Sequence, residues 1–319
     1  YQSRKPQAPS GLLASNQSDI ETSGIYRTRA MIKIQEGCNQ ICAYCIVPKV
    51  RGRERSISTE YLIRQIVDLQ NHGYQEIVLT GTQLGSYGFD LPNMDLTGLL
   101  ERILFETDIP RIRVSSLQPQ EITPALLSLW DNSRLCPHFH IPLQSGATQI
   151  LQAMRRKYTT QLYAQSVDLI RSRVKNPGIT TDLILGFPGE DESLFCQTLE
   201  FIQHIQFSDM HVFPYSRRPG TTAYYYENCI DADTKKTRTK LVLNIAEQQF
   251  NDFRQRQIGT VRPVLWESKV KDSESNVWSG LTDNYIRIYS ENATDLKNHI
   301  TNTRLLGFGP KGLIGQVEE

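Results

Sequence analysis

The sequence has no apolar stretch approaching the roughly 20 residues a membrane-spanning helix requires, and no secretory leader opens it. It has no excess of either charge. The formal net charge is +1, so any nucleic-acid-binding surface must be local. It has no internal repeat, which argues against a solenoid, and no low-complexity tract. Cysteine is scarce, six in 319 residues, and is not scattered as a disulfide framework would be. Three of the six, Cys38, Cys42 and Cys45, fall together. That points to a metal site in a reducing compartment, and the expected location is cytoplasmic.

What is present suits a globular protein: hydrophobic residues make up 39% and charged residues 22%, enough chain for one large α/β domain and a small one. The first residue is Tyr1 and not Met, so a fragment or a processed chain is expected. Residues 1 to 28, polar and rich in Ser, Gln, Pro and Gly, read as a linker or arm. From Arg29 onward, strand and helix patterns alternate. Strands are expected at 29–35, 76–80, 111–115, 138–143, 179–185 and 209–214, with amphipathic helices between them. Thr123-Pro124 opens one helix with a cap and a first-turn proline. Six β-then-α units predict a parallel sheet curling into a partial (β/α)6 TIM-like barrel over residues 29–230. Functional residues then belong at the C-terminal ends of the strands. A connecting helix is expected over 231–257. Short β segments separated by turns over 258–319 predict a small antiparallel β-barrel.

The motif that carries chemistry is Cys38-Asn39-Gln40-Ile41-Cys42-Ala43-Tyr44-Cys45, a C-x3-C-x2-C loop directly after the first strand. Thiolates are soft ligands suited to iron–sulfur clusters or zinc. Three ligands on a four-iron cube leave one iron open to an organic ligand. The alternative is a structural zinc with His138, His140 or a distant cysteine as fourth ligand, but the second CxxC-type arm usual in zinc knuckles is missing. Cys136, Cys196 and Cys229 sit in no ligand-like run and are expected to be small core residues.

Ile34-Gln35-Glu36-Gly37-Cys38 through Cys45-Ile46-Val47-Pro48, with Arg51-Gly52-Arg53-Glu54-Arg55-Ser56, resembles the signature of the radical S-adenosylmethionine (radical SAM) methylthiotransferases. The resemblance runs from about residue 29 to the C-terminus. It implies that Cys38, Cys42 and Cys45 hold a 4Fe–4S cluster. It also implies that S-adenosylmethionine chelates the open iron and is cleaved to a 5′-deoxyadenosyl radical, while the protein positions and shields that radical. Tyr44 matches the family's aromatic position near the adenine. Gly81-Thr82-Gln83 stands where the superfamily often has a Gly-Gly-Glu loop, which suggests Thr82 and Gln83 for the methionine end. Its bland reading is a glycine-rich turn. Strand ends bring Ser115 and Gln144 to the ribose and carboxylate. His140 reads equally as a core histidine. Thr180-Thr181-Asp182-Leu183-Ile184-Leu185-Gly186-Phe187-Pro188-Gly189-Glu190 is a strong family match. It nominates Asp182, whose burial on a period-2 strand needs a partner, and Gly186, where backbone can approach the adenosyl moiety. Glu190 is expected to cap the next helix.

Two basic loops with tyrosines suggest RNA contacts through Arg155 and Arg156, and through Arg217 and Arg218. The C-terminal stretch resembles a TRAM domain, a small RNA-binding barrel, on the strength of Trp266-Glu267 and Gly280-Leu281-Thr282-Asp283-Asn284-Tyr285. Its Lys269 and Arg287 are the chosen RNA contacts among Arg262, Lys271, Arg304 and Lys311. Family members usually carry a further N-terminal domain with a second 4Fe–4S cluster. Residues 1–37 contain no cysteine, so this chain is expected to lack that domain. The implied reaction is methylthiolation of N6-threonylcarbamoyladenosine at position 37, with a tRNA anticodon stem-loop, a low-potential electron donor and a sulfur donor as partners and no membrane. The run Leu79-Thr80-Gly81-Thr82-Gln83-Leu84-Gly85-Ser86-Tyr87-Gly88 favours that substrate. The alternatives are isopentenyladenosine, a ribosomal protein, or a non-enzymatic RNA-binding protein with structural zinc.

Overall fold

The computed structural model describes residues 28–270 and 276–318. The expected arm, apart from Thr28, and Lys271 lie outside the described residues. The elements begin with β1 (Arg29–Lys33), β2 (Gln35–Glu36), α1 (Val47–Arg51), β3 (Arg55–Ser56) and α2 (Thr59–Asn71). They continue with β4 (Glu76–Thr80), α3 (Leu96–Glu106), β5 (Arg111–Val114), α4 (Pro124–Ser128) and β6 (His138–His140). Then come α5 (Thr148–Ala153), α6 (Thr160–Arg173), β7 (Gly178–Leu185), α7 (Glu192–Ile205), β8 (Asp209–Pro214) and the long α8 (Ala232–Gln255). Helix α3 illustrates the local logic. Asp95 accepts the Gly98 N–H at 2.8 Å as its cap, and Leu96, Leu99, Leu100 and Ile103 recur on one face, all buried. Thr123 caps α4 with Pro124 in its first turn, as the sequence predicts.

The barrel strands are parallel, but they form two three-stranded sheets, β1–β4–β5 and β6–β7–β8, and not one continuous sheet. They are joined near the C-terminal edge by the bridge of Ser116 to His140 and the Leu117 N–H on His140 O at 3.0 Å, and lower down by a bridge from Ile112 of β5 to Leu135, just before β6. The expected strand 138–143 stops at His140. Pro142 has no N–H for a ladder, and Gln144 turns at a φ of 68°. The chain also leaves the barrel earlier than expected after β1. Gln35 and Glu36 pair instead with Ser56 and Arg55, which fastens the cysteine loop to the segment that follows it.

The C-terminal strands are β9 (Val261–Lys269), β10 (Val277–Thr282), β11 (Arg287–Glu291), β12 (Ile300–Gly309) and β13 (Gly312–Val317). They close in the order β10–β11–β13–β12–β9. The barrel is not wholly antiparallel. Strands β12 and β13 form a hairpin, and β13 then lies parallel to β11. Trp266, Ile288, Leu305 and Leu313 fill it, with Phe253 of α8 against them.

This small barrel docks at the N-terminal edge of the parallel strands through a buried ion triad. Glu76 is fully buried, and Arg111 and Arg113 each reach its carboxylate at 2.9 Å. Their remaining N–H groups donate across the interface: Arg111 to the carbonyls of Leu281 and Thr282 at 3.1 and 3.0 Å, Arg113 to that of Asp283 at 2.9 Å. Burial alone would raise the Glu76 pKa, but the two guanidinium groups outweigh it and hold the carboxyl below its usual range.

Candidate cofactor site and the cavity below it

The cysteine loop is held from three sides. Gly37 has a φ of 78°, and a Cβ there would lie 2.0 Å from the Arg53 carbonyl, so only glycine allows the crossing. Asn39 and Glu54 bind each other through backbone and side chain at 3.0–3.4 Å. In the middle of the loop, Ala43 donates to Met154 O at 2.9 Å and accepts from Ala223 N at 2.7 Å. A small apolar cluster of Ala43, Ile150, Met154, Phe187 and Tyr215 supports it. Fully buried Gln35 stitches the loop to the end of β4. Its amide donates to Gly37 O at 2.9 Å, and its Oε1 accepts from Thr82 N and Gln83 N at 3.0 and 2.9 Å.

Next to the cysteines lies a polar chain. Arg156 Nη1 donates to Cys42 Sγ at 3.2 Å. The same guanidinium donates to Gln118 Oε1 and stacks over the Tyr158 ring at 4.9 Å. Glu121 accepts from Gln118 N at 2.7 Å and from the Gln83 amide. Burial raises the Glu121 pKa. It also raises Cys38, against a lowering hydrogen bond from Gln40. Tyr158 is pushed up to about 12, mainly by burial, and burial likewise carries Tyr44 well above its ordinary value.

Below the strand ends, toward the C-terminal barrel, the half-barrel encloses a cavity of about 910 Å³. Its wall carries a continuous hydrogen-bonded row. Asp182 Oδ2 pairs with His140 Nε2 at 3.2 Å and Oδ1 with His211 Nδ1 at 3.1 Å. His140 Nδ1 meets Thr180 Oγ1 at 2.9 Å, and Thr180 Oγ1 meets His138 Nε2 at 3.2 Å. His138 stacks on Tyr285 of the C-terminal barrel with centroids 4.3 Å apart. Burial would raise the Asp182 pKa, but the histidine hydrogen bonds prevail and lower it. Burial, reinforced by Arg113, drives the His138 pKa well below its usual value.

The profile of the Radical SAM superfamily matches residues 32–202, a span that begins just before the cysteine loop and takes in Arg156, Asp182 and Gly186. The chain belongs to the radical SAM superfamily. It is 37% identical over 286 residues to the threonylcarbamoyladenosine tRNA methylthiotransferase MtaB of Bacillus subtilis, covering 89% of this chain and 63% of the relative. It is 36% identical over 294 residues to a tRNA-2-methylthio-N(6)-dimethylallyladenosine synthase of Alkaliphilus oremlandii, covering 92% and 62%. The chain therefore spans somewhat under two thirds of these relatives. Among solved structures it resembles the radical SAM methyltransferase TsrM of Kitasatospora setae, with a TM-score of 0.52 and 16% identity over 61% of this chain and 38% of that one. It also resembles coproporphyrinogen III oxidase (HemN) of Escherichia coli, with a TM-score of 0.51 and 13% identity over 71% and 54%. At such identities these two likenesses speak for the fold.

Radical SAM proteins bind a 4Fe–4S cluster and S-adenosylmethionine, and the residues here fit both. The three cysteines share one pinned loop with a guanidinium beside them to balance an anionic thiolate cluster. Among the described residues, the three that bring metal-ligand atoms within 4.8 Å of one another are His140, Asp182 and His211, whereas the cysteine sulfurs do not close up in this way. A single zinc with Zn–S bonds of about 2.3 Å needs sulfurs roughly 3.8 Å apart, and a cubane holds them wider. His138 and His140, the sequence's candidate zinc ligands, face the cavity network and not the cysteines. Within that network each Asp182 oxygen already accepts from an imidazole.

Several expectations change. Arg156 lies against Cys42 and not on an RNA-facing surface, because Tyr158 folds beneath it with its hydroxyl on Pro142 O at 2.7 Å. Arg155 remains exposed. Arg217 is exposed but donates to Tyr224 O at 3.1 Å, while Arg218 is exposed. Arg287 is engaged by Glu267, which also holds Arg29 at 2.6 Å, and Lys269 donates to Asn276. His140 is a cavity residue and not a core histidine. Asp191, not Glu190, caps α7. Glu190 instead accepts from Gly186 N at 2.9 Å and from Arg238 at 2.8 Å. A Cβ on Gly186 would strike Lys235 Cγ at 2.2 Å, so the close approach there is to α8. Cys136 is buried, but Cys196 and Cys229 are exposed.

Among the cofactor candidates, Ser115 lines the cavity and Tyr44 packs under the cysteine loop. Gln144 takes the Asp182 carbonyl at 2.8 Å through its backbone, and Thr82 is exposed beside buried Gln83. Sequence reasoning missed Gln35, Gln118 and Glu121. The signal for Gln35 was its place, an amide two residues before the glycine that opens the cysteine loop. Gln118 and Glu121 join only through folding.

Proposed function

We infer that the chain is the radical SAM and C-terminal barrel portion of a tRNA methylthiotransferase acting on N6-threonylcarbamoyladenosine beside the anticodon. The observation that carries the reading is the pinned three-cysteine loop beyond the end of β1, with the Arg156 guanidinium against Cys42. The likeness to the Bacillus subtilis relative favours this substrate.

In this reading Cys38, Cys42 and Cys45 hold the cluster, and Arg156, Gln83 and Gln118 present donors toward the methionine end of S-adenosylmethionine. Tyr44, Ser115 and Gln144 line its adenosyl end. Bound there, the two groups would supply the one-electron chemistry needed to activate an unactivated C–H bond. The protein's part is to orient the base, exclude water and balance charge: Arg156 offsets the thiolates, and Asp182 fixes the two imidazoles that face the nucleoside. Arg155, Arg217, Arg218 and Lys269, all exposed, are the cations we assign to contact with an anticodon stem-loop. We assign a low-potential electron donor and a sulfur donor as further partners, and the cytoplasm as the location.

The test is nucleoside mass spectrometry of tRNA from a strain lacking the gene. Loss of 2-methylthio-threonylcarbamoyladenosine supports the reading. Loss of the methylthio isopentenyl derivative instead would transfer the assignment to the second type of relative, whose members match at similar identity.

A further inference from the structure

We propose that His211, held by Asp182, reads the polar arm on N6 of the substrate adenosine and so selects a hydroxyl- and carboxylate-bearing substituent over an apolar one. The proposal rests on the threonylcarbamoyl reading and adds to it the residue that recognises the arm.

The hydrogen-bond row fixes which atoms are left for a ligand. A carboxylate only accepts, so His140 donates to Asp182 through Nε2–H and His211 through Nδ1–H. His140 Nδ1 then accepts from the Thr180 hydroxyl, which accepts from His138 Nε2–H. At one end of the row His138 is buried and stacked on Tyr285, with its Nδ1 lacking a hydrogen-bond partner. His211 is the other end, and its Nε2 has no partner among the described residues. Its side chain is 59% exposed, against 15% for His140. Asp182 thus anchors one ring nitrogen of His211 and leaves the other free. An unprotonated Nε2 accepts from a hydroxyl or a carbamoyl N–H, and a protonated ring donates to a carboxylate. A threonylcarbamoyl arm offers all three groups, and a dimethylallyl arm offers none.

The rest of the cavity agrees. Ser115, Ser116 and Asp209 add polar groups to the same wall, while exposed Met31 offers an apolar face for a base. A site built to bond polar groups discriminates against an analogue that lacks them, because its own groups are then left unpaired.

The test uses the reconstituted holoenzyme with S-adenosylmethionine and anticodon stem-loop RNAs carrying threonylcarbamoyladenosine, dimethylallyladenosine or unmodified adenosine, with binding followed by fluorescence anisotropy. The wild type is expected to bind the threonylcarbamoyl hairpin at least about tenfold tighter than the other two. His211→Phe should bring the three within about twofold of one another, with an unchanged circular-dichroism melting curve as the sign of an intact fold. His211→Gln, which keeps a hydrogen-bonding end, should restore part of the preference. A wild-type preference that survives in His211→Phe overturns this proposal and leaves the substrate reading standing, as does an equal loss for all three RNAs. A wild type that prefers the dimethylallyl hairpin, or none, overturns the substrate reading and the proposal with it.

Discussion

Replacing Glu76 by Gln should cost the protein about 3–5 kcal/mol, the usual penalty for removing one partner from a buried ion pair. The structure supports the upper half of that range. Arg111 and Arg113 are 5% and 3% exposed and share one fully buried carboxylate. A glutamine keeps the shape but leaves two guanidinium charges without a counter-ion. Their remaining bonds run to carbonyls of the C-terminal barrel, so the loss should appear as early undocking of that barrel. The assay is urea denaturation of both proteins, monitored by tryptophan fluorescence, since Trp266 and Trp278 lie in the barrel. The pH dependence follows from the depressed carboxyl. A group with a lowered folded-state pKa gives its full stabilisation above the unfolded value near 4.5 and loses it as pH falls through the folded one. Wild type should therefore destabilise in acid more steeply than Glu76→Gln. A variant within about 1 kcal/mol of wild type at neutral pH would refute the triad as the anchor of the interface.

Other outcomes follow from the cofactor site. Arg156→Gln removes the cation beside Cys42, so the reconstituted cluster should become harder to reduce, by about 60 mV if the charge is worth tenfold in a one-electron couple. An EPR redox titration reads this, and an unchanged potential contradicts the role. Gly37→Ala forces a Cβ onto the Arg53 carbonyl at positive φ, which should cost more than about 1 kcal/mol and lower the iron retained after desalting. Iodoacetamide should label Cys196 and Cys229 in the folded protein and spare Cys136, as peptide mass spectrometry would report.

The alternation of strand and helix, the cap at Thr123, and the cysteine loop were legible because each rests on local chemistry. The docking triad was not. Arg111 and Arg113 read as ordinary alternating positions of a strand, and only the arrival of residues 281–283 from the far end of the chain explains them. Arg156 looked like a surface cation because its neighbours in sequence are charged, yet Tyr158 turns it inward. Asp182 was correctly suspected of needing a partner. That both partners would be histidines of flanking strands depends on the parallel register, which pairs Asp182 with His211 directly.

The central claim is that the three thiolates hold a cluster with one open iron. Anaerobic reconstitution of the chain with iron and sulfide tests it most directly, alongside Cys42→Ala. The account predicts about four irons and four sulfides per chain, a brown absorbance near roughly 400 nm that dithionite bleaches, and reductive cleavage of S-adenosylmethionine to 5′-deoxyadenosine that the variant lacks. A colourless protein with one tightly bound zinc, or a Cys42→Ala variant that still cleaves the cofactor, would contradict it.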